Sequence, residues 1–286
     1  MKDIREADLI LVRYGELGLK SAPVRRKFER TLRNTIERMF MDNRIEATID
    51  MASGRFFIGS NEPERAIELL SRVFGVVSIS PVWSTSSKLE EITALARELW
   101  SGVLNEGQSF AVRARRSGGH SYTSMELARV VGSAIWEANA SASPSVNLRE
   151  PDVEFFVEVR DARAYLFRDI IPGPGGLPLG TQGVVGVCLQ GDEDVVAAWL
   201  MMKRGCYLDA CGDERLIDVL KKWDSGIHVI DAESIPELLE KSGADGLVLG
   251  EKLENFSSPV LKIAVFYPLI GMDDKEIKEL KKRVFD

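Results

Sequence analysis

The chain has 286 residues, of which 45% are apolar and 28% are charged, as in an ordinary globular protein large enough for two or three domains. Its net charge of −7 is uneven: residues 1–80 carry +2 and residues 171–286 carry −7, so the acidic total does not exclude a nucleic-acid surface on the first two thirds. No apolar stretch is long enough for a membrane helix, the acidic N-terminus is unlike a signal peptide, and three cysteines are too few for a disulfide framework, so we expect a cytoplasmic protein.

Residues 1–80 predict a ferredoxin-like domain. In chain order we expect a strand over 7–14, a helix over 24–40, strands over 45–50 and 55–59, a helix over 62–73 and a strand over 75–84. This β-α-β-β-α-β order is the split βαβ pattern. On the first helix apolar residues recur every four positions, and basic residues occupy the other side, among them Arg25, Arg26 and Arg30.

Residues 81–170 predict a second, smaller α/β domain. We expect a helix over 88–100, a strand over 108–115, a helix over 123–139 and strands over 153–160 and 163–169. Thr123 is a predicted N-cap, and Glu126 three residues later completes a capping box. The tryptophans of the chain fall among apolar positions and are expected in the core: Trp83, Trp100, Trp136, Trp199 and Trp223.

Residues 171–183 predict a linker, because five glycines and three prolines fall within them. Beyond the linker, over 184–286, short apolar strands alternate with helices. This alternation is typical of a parallel sheet in a doubly wound α/β fold. With two histidines in the chain and no Cys-x-x-Cys pair, we expect no metal site.

The turn Leu189–Asp194 joins an apolar strand to a helix through a glycine. This order of elements exposes backbone N–H groups at a helix N-terminus, which is how many proteins bind a phosphate. Here the turn carries three consecutive carboxylates, Asp192, Glu193 and Asp194, which suit a helix N-terminus but would repel a triphosphate. The residues alone leave two interpretations open: a phosphate loop that has lost its chemistry, or a capped turn that the fold requires.

Three stretches carry a family resemblance: RYGELGLKSAPVRRKFE at 13–29, FAVRARRSGGHSYTSMELARVVG at 110–132 and VVAAWLMMKRG at 195–205. On these motifs the chain resembles the tRNA 4-thiouridine synthetase family, the tRNA sulfurtransferases that are also linked to thiamine biosynthesis. The resemblance implies four segments: a ferredoxin-like domain over 1–80, a THUMP RNA-binding domain over 81–170, a linker over 171–183 and a reduced PP-loop adenylating domain over 184–286.

The resemblance is weakest at the nucleotide loop. The family's loop reads Ser-Gly-Gly-x-Asp-Ser, whereas this chain has lost both serines and the first glycine. The remnant comprises Gln190, Gly191, Glu193 and Asp194. We therefore expect no catalytic residue and no cofactor, with ATP and Mg²⁺ required only if the loop is an active variant.

The resemblance favours RNA binding at basic positions that composition alone would assign to a solvated face. These positions are Arg25, Arg26, Arg30, Arg113, Arg115, Arg116 and His120. We therefore expect a catalytically degenerate protein that binds tRNA and no membrane. The family resemblance also implies a homodimer. The alternative is an active ATP-dependent tRNA sulfurtransferase that makes 4-thiouridine in tRNA. Cys206 and Cys211 are either inert or, under that alternative, a pair that carries sulfur.

Overall fold

The computed structural model describes residues 4–15, 21–52, 54–257 and 261–286. The chain divides into two compact units, each assembled from three separate stretches. The first unit comprises Met1–Arg13, Glu46–Ile67 and Ile79–Ile171, and the second comprises Tyr14–Ile45, Glu68–Ser78 and Pro172–Asp286. This division groups the first long helix with the C-terminal third, and the domain boundaries expected from the sequence remain predictions.

The strands and helices follow the predicted order. In chain order they are β1 (Leu9–Tyr14), α1 (Ala22–Asp42), β2 (Ala47–Ala52), β3 (Arg55–Ser60), α2 (Pro63–Leu70), β4 (Val76–Ser86), α3 (Leu89–Trp100), β5 (Ser109–Ser117), α4 (Ser124–Ala138), β6 (Ser145–Val146), β7 (Val153–Arg160), β8 (Arg163–Phe167), β9 (Ile171–Pro172), β10 (Val184–Leu189), α5 (Asp192–Lys203), β11 (Tyr207–Gly212), α6 (Glu214–Lys221), β12 (His228–Val229), α7 (Ile235–Lys241), β13 (Gly246–Val248), β14 (Ala264–Phe266) and α8 (Asp274–Phe285).

The first unit is built on one mixed sheet. Among the described residues it has nine strands, with β2-β3-β1-β4-β8-β7-β5-β6 as the main path and β9 paired with β4. Helices α3 and α4 bury their apolar sides on one face, where the rings of Trp100 and Phe155 lie 4.7 Å apart. Residues of the other face form a second cluster, in which Phe57 and Tyr165 stack at 4.5 Å between ring centroids. The guanidinium of Arg13 lies on this second face, 4.6 Å from the centroid of the Phe167 ring.

Local sequence signals account for much of the first unit. Thr123 and Glu126 form the predicted capping box at the start of α4, which is confirmed. The expectation that every tryptophan is a core residue is wrong for Trp136, which is 48% exposed. Its position on α4 is apolar in sequence, but its indole Nε1 donates to the carbonyl of Pro144 at 3.0 Å and the ring remains open to solvent. The other four tryptophans are buried.

The second unit holds the predicted parallel sheet. Its strands lie in the order β12-β11-β10-β13-β14, and each neighbouring pair is parallel. Helices α5, α6 and α8 contribute to the core on one side, around the fully buried Trp199, while Leu238 of α7 packs in a separate cluster. Helices on both faces of a parallel sheet define a doubly wound fold, so the predicted fold class is confirmed. No helix in the described part of the chain is long and apolar enough to cross a membrane.

Candidate functional site

The carboxylate of Asp194 occupies the loop between β10 and α5. Its Oδ2 accepts hydrogen bonds from the backbone N–H groups of Gln190 and Gly191, each at 3.0 Å. Its Oδ1 accepts a third from the N–H of Gly250, which follows β13, at 3.2 Å. Backbone N–H groups converging at a helix N-terminus are the groups that would bind a phosphate. In this chain an internal carboxylate takes three of them.

Close packing fixes this arrangement. A Cβ at Gly250 would lie 2.5 Å from the backbone nitrogen of Asp194 and 2.6 Å from its Oδ1. Real Cβ atoms do not approach other atoms that closely, so only glycine permits the backbone after β13 to lie against the loop. The loop carboxylate is therefore held by two segments that are far apart in sequence.

The other two loop carboxylates lie beside lysines. Lys281 of α8 places its Nζ 2.9 Å from Glu193 Oε1 and 3.5 Å from Asp192 Oδ2, and Lys252 lies 4.0 Å from Glu193. The hydrogen bond from Lys281 is the main reason that the pKa of Glu193 lies below its ordinary value. Lysines thus lie beside two of the three loop carboxylates, Asp192 and Glu193, while backbone N–H groups surround the third, Asp194. No group of three or more carboxylate, histidine or cysteine side chains suited to a metal ion occurs among the residues that the structure describes.

The predicted RNA-binding residues of the first unit differ in their surroundings. Arg113 donates to Glu154 at 2.6 Å and to the carbonyl of Leu148 at 2.9 Å, so it is partly committed to its own domain. Arg115 and Arg116 are exposed. Because side chains alternate along a strand, they leave opposite faces of the sheet. His120 lies 2.7 Å from the carbonyl of Asp161 through its Nε2, which anchors the turn after β5.

The predicted basic residues of α1 belong to the second unit. Arg25 lies 3.8 Å from Glu29, while Arg26 and Arg30 are exposed. The structure thus distributes the seven predicted RNA-binding positions between two compact units. Their role in RNA binding stays a prediction.

A further group of arginines, which the sequence reasoning missed, surrounds one buried carboxylate on the sheet of the first unit. Arg160 donates from Nε, at 2.8 Å, and from Nη2 to Oε1 of Glu158. Arg13 Nη2 and Arg55 Nε each lie 3.5 Å from the same carboxylate. Arg115 is the register partner of Glu158 on the adjacent strand. We call Arg13, Arg55, Arg115 and Arg160 the guanidinium cluster. The only sequence signal was strand alternation, which cannot pair strands this far apart.

Burial and charge oppose each other in this group. Burial alone would raise the pKa of Glu158, but Arg160, Arg55 and Arg13 outweigh it and hold the pKa below its ordinary value. For Arg13 the balance is reversed: burial lowers its pKa, with Glu158 opposing and Arg55 and Arg115 adding to the decrease. Glu158 therefore remains a carboxylate in spite of its burial.

The thiol that lies beside Cys211 is that of Cys188, on the neighbouring strand. Cys188 and Cys211 are register partners on the parallel strands β10 and β11. Burial, followed by Cys188, raises the pKa of Cys211 to about 12. Cys206 is buried, and its Sγ donates to the carbonyl of Gln182 at 3.7 Å. Cys206 and Cys211 are thus both protonated, buried thiols at neutral pH.

Comparisons with known proteins identify the modules. A family model described as the ThiI ferredoxin-like domain matches residues 9–80, and one described as the THUMP domain matches residues 86–169. The "Probable tRNA sulfurtransferase" of Methanosarcina acetivorans is 34% identical, covering 98% of this chain and 81% of that protein. Its counterpart in Saccharolobus islandicus is 33% identical, covering 96% and 86%. The first alignment runs over 337 positions, more than this chain contains, so the relative has segments that are missing here.

Two solved structures are similar to this chain over nearly its whole length. PH1313 from Pyrococcus horikoshii is 30% identical, with a TM-score of 0.84, covering 96% of this chain and 99% of that one. A 4-thiouridine synthetase, solved in complex with RNA and with bound ATP, is 24% identical with a TM-score of 0.79, covering 98% and 85%, and shows the same fold. A ferredoxin-like domain followed by a THUMP domain and a parallel-sheet domain defines the class of THUMP-containing tRNA-modification proteins. Within that class, the chain belongs to the tRNA sulfurtransferase family.

Proposed function

We propose that this chain is a tRNA-binding member of its family whose C-terminal domain does not bind ATP. The observation that carries the proposal is the carboxylate of Asp194, which accepts the N–H groups of Gln190, Gly191 and Gly250. A phosphate at this loop would need the same donors. No cofactor is part of the proposed activity.

The energetic cost of admitting a phosphate supports this proposal. Displacing Asp194 breaks a helix cap, at a cost of about 1 kcal/mol. The displaced carboxylate stays tethered to the loop, and like charges ~4 Å apart repel by about 1 kcal/mol in water and about 4 kcal/mol at an effective dielectric of 20. A total of about 2–5 kcal/mol corresponds to a loss of roughly 30-fold to several thousandfold in affinity.

RNA binding is supported by the family and by the exposed arginines. One relative of the same fold was solved in complex with RNA. In the first unit Arg115 and Arg116 are exposed, and a guanidinium binds phosphate through its planar fork and permanent charge. Because the negative net charge belongs mainly to residues 171–286, it does not oppose RNA at these positions.

A tRNA titration at two salt concentrations tests the proposal. Replacing Arg113, Arg115 and Arg116 together by alanine should weaken binding and reduce the salt slope by roughly one unit per lost phosphate contact. Arg215→Ala, an exposed arginine of the second unit that pairs with Asp213, is the control and should bind as the wild type does. A wild-type protein without measurable affinity for tRNA would refute the proposal.

An active ATP-dependent sulfurtransferase is the second candidate, and one observation favours it. Lys252 and Lys281 lie beside the loop, where they would meet a nucleotide's phosphates if Mg²⁺ replaced them at the carboxylates. The purified protein, supplied with Mg-ATP, a sulfide donor and tRNA, would then produce 4-thiouridine. Mass spectrometry of the digested nucleosides measures this directly.

A further inference from the structure

We propose that the outer side of α4 is a contact surface between two copies of this chain. It borders a groove of about 510 Å³ between α4 and the edge of the sheet at β6, and the whole groove lies within the first unit. Six residues of α4 that line the groove carry the argument: Met125, Arg129, Gly132, Ser133, Trp136 and Glu137. We call them the α4 stripe. The inference goes beyond tRNA binding and does not depend on it.

The first argument is the exposure of large apolar side chains. Four of those lining the groove are open to solvent: Met125 at 82%, Leu148 at 66%, Val146 at 61% and Trp136 at 48%. Single exposed apolar residues are common, whereas a contiguous patch of them marks an interaction site. Methionine and aromatic residues in particular are enriched at the centres of protein–protein interfaces.

The charges of the groove favour a protein over RNA as the occupant. The charged side chains that line it are those of one arginine, Arg129, and two others would be needed to make it basic, but its remaining charged residue is Glu137. An RNA surface requires an excess of positive charge to bind phosphates. A balanced pair at the margin of an apolar groove is instead typical of the polar rim of a protein interface.

The second argument is the self-complementary position of these two charges. Arg129 precedes Ser133 by four residues, and Glu137 follows it by four, so all three lie in one row along the helix surface. A two-fold axis through Ser133 would place two α4 helices antiparallel, with each Arg129 opposite Glu137 of the other copy. One axis thus creates two Arg–Glu pairs, as an interface between identical copies requires.

Both charged groups can take part in such pairs. Glu137 accepts from Arg97 at 2.9 Å, and its side chain is still 58% exposed. Arg129 is exposed, and the carboxylate near it, that of Glu126, already accepts from Thr123 in the capping box. A second copy can therefore approach either group without breaking a buried contact.

The third argument is shape. The middle of the α4 stripe has small residues, Gly132 and Ser133, while its ends have the large side chains of Met125 and Trp136. A Cβ at Gly132 would meet Val112 at 3.8 Å, an ordinary contact, so the helix surface here is open. The same two-fold axis would place Trp136 of one copy beside Gly132 of the other. Large side chains over small ones allow two helices to pack closely.

The first experiment measures the oligomeric state by sedimentation equilibrium over a range of protein concentrations. The wild type should form a dimer, and Gly132→Gln should raise its dissociation constant about tenfold or more by filling the depression that receives Trp136. The fold tolerates this change, because glutamine is a better helix former than glycine and the Cβ has room. The control is Gly243→Gln, at an exposed glycine with no atom within 4 Å of its Cβ, which should sediment as the wild type does.

The second experiment reverses the charges. Arg129→Glu and Glu137→Arg should each weaken the dimer about tenfold, because each turns two attractive pairs into two repulsive ones. An equimolar mixture of the two variants should associate again, since every glutamate then faces an arginine. The double variant R129E/E137R should form a homodimer by itself. Circular dichroism confirms that each variant is folded.

The inference is overturned if the wild type is monomeric at every concentration, if Gly132→Gln dimerises as well as the wild type, or if the mixed charge variants fail to associate. A monomeric wild type whose tRNA affinity falls in Gly132→Gln would assign the groove to RNA and also overturn it. The tRNA titration is separate, so its failure refutes the proposed function alone, and the absence of a dimer leaves that function standing.

Discussion

Replacing Asp194 by alanine should destabilise the second unit more than the loss of an ordinary helix cap. The carboxylate accepts three backbone N–H groups, of which one belongs to Gly250 in a distant segment. The lost cap costs about 1 kcal/mol. The remaining donors, which are only partly buried, add about 1.5 kcal/mol more, at the low end of the range for hydrogen bonds to charged acceptors. We expect a total loss of about 2–3 kcal/mol.

The matched control is Asp273→Ala, at the start of α8. Asp273 is the N-cap residue of α8 and accepts the N–H of Glu276 at 2.8 Å within its own helix, whereas Asp194 is the third residue of α5 and also accepts from Gly250 in a distant segment. Its removal should cost about 1 kcal/mol. Urea denaturation measures both losses, and the corresponding change in melting temperature is about 2–4 °C per kcal/mol for units of this size. An equal loss in the two variants would refute the role assigned to Asp194.

The same variant has a second consequence. Without its internal carboxylate, the loop presents the N–H groups of Gln190, Gly191 and Gly250 to solvent. Inorganic phosphate should therefore stabilise Asp194→Ala more than it stabilises Asp273→Ala, because anions bind at helix N-termini whose donors are available. The comparison is a phosphate titration followed by thermal unfolding. The absence of any difference would show that the loop is not an anion site even when it is vacated.

Three further outcomes follow from the geometry. The pKa of Glu158 is held below its ordinary value in the folded chain, so this carboxylate stabilises the fold above about pH 4.3 and loses that contribution as the pH falls through its folded pKa. Acid should therefore destabilise the wild type more than it destabilises Glu158→Gln. Urea titrations at several pH values measure the difference. At neutral pH a thiol reagent should modify Cys188 first, since Cys206 and Cys211 are buried and burial raises the pKa of both; mass spectrometry identifies the site, and early labelling of Cys206 would contradict this. Gly250→Ala should cost about 1–3 kcal/mol of unfolding free energy because its Cβ would overlap the loop backbone, and a neutral effect would show that the segment moves aside.

The sequence was informative where structure is set locally. The spacing of apolar residues, with glycines and prolines at the turns, predicted the order of strands and helices. The spacing from Thr123 to Glu126 predicted a helix cap. The loop from Leu189 to Asp194 was also located correctly, since a glycine between an apolar strand and a helix marks such a turn.

The sequence was uninformative where chemistry depends on distant segments. Asp194 receives a hydrogen bond from Gly250, and Glu193 pairs with Lys281, from parts of the chain that no local pattern connects. Strand pairing brings Arg13 and Arg55 to Glu158, and no single strand contains this site. Which side chains meet across neighbouring strands depends on the register of strand pairing, and tertiary packing fixes that register.

A calorimetric titration of Mg-ATP into the wild-type protein, with tRNA already bound, tests the central claim most directly. With the Asp194 carboxylate filling the loop, the account predicts that tRNA binds and that Mg-ATP gives no saturable heat up to millimolar concentration. Saturable binding of Mg-ATP that disappears in Glu193→Ala would contradict it, and would show that the loop carboxylates hold the metal of an active nucleotide site.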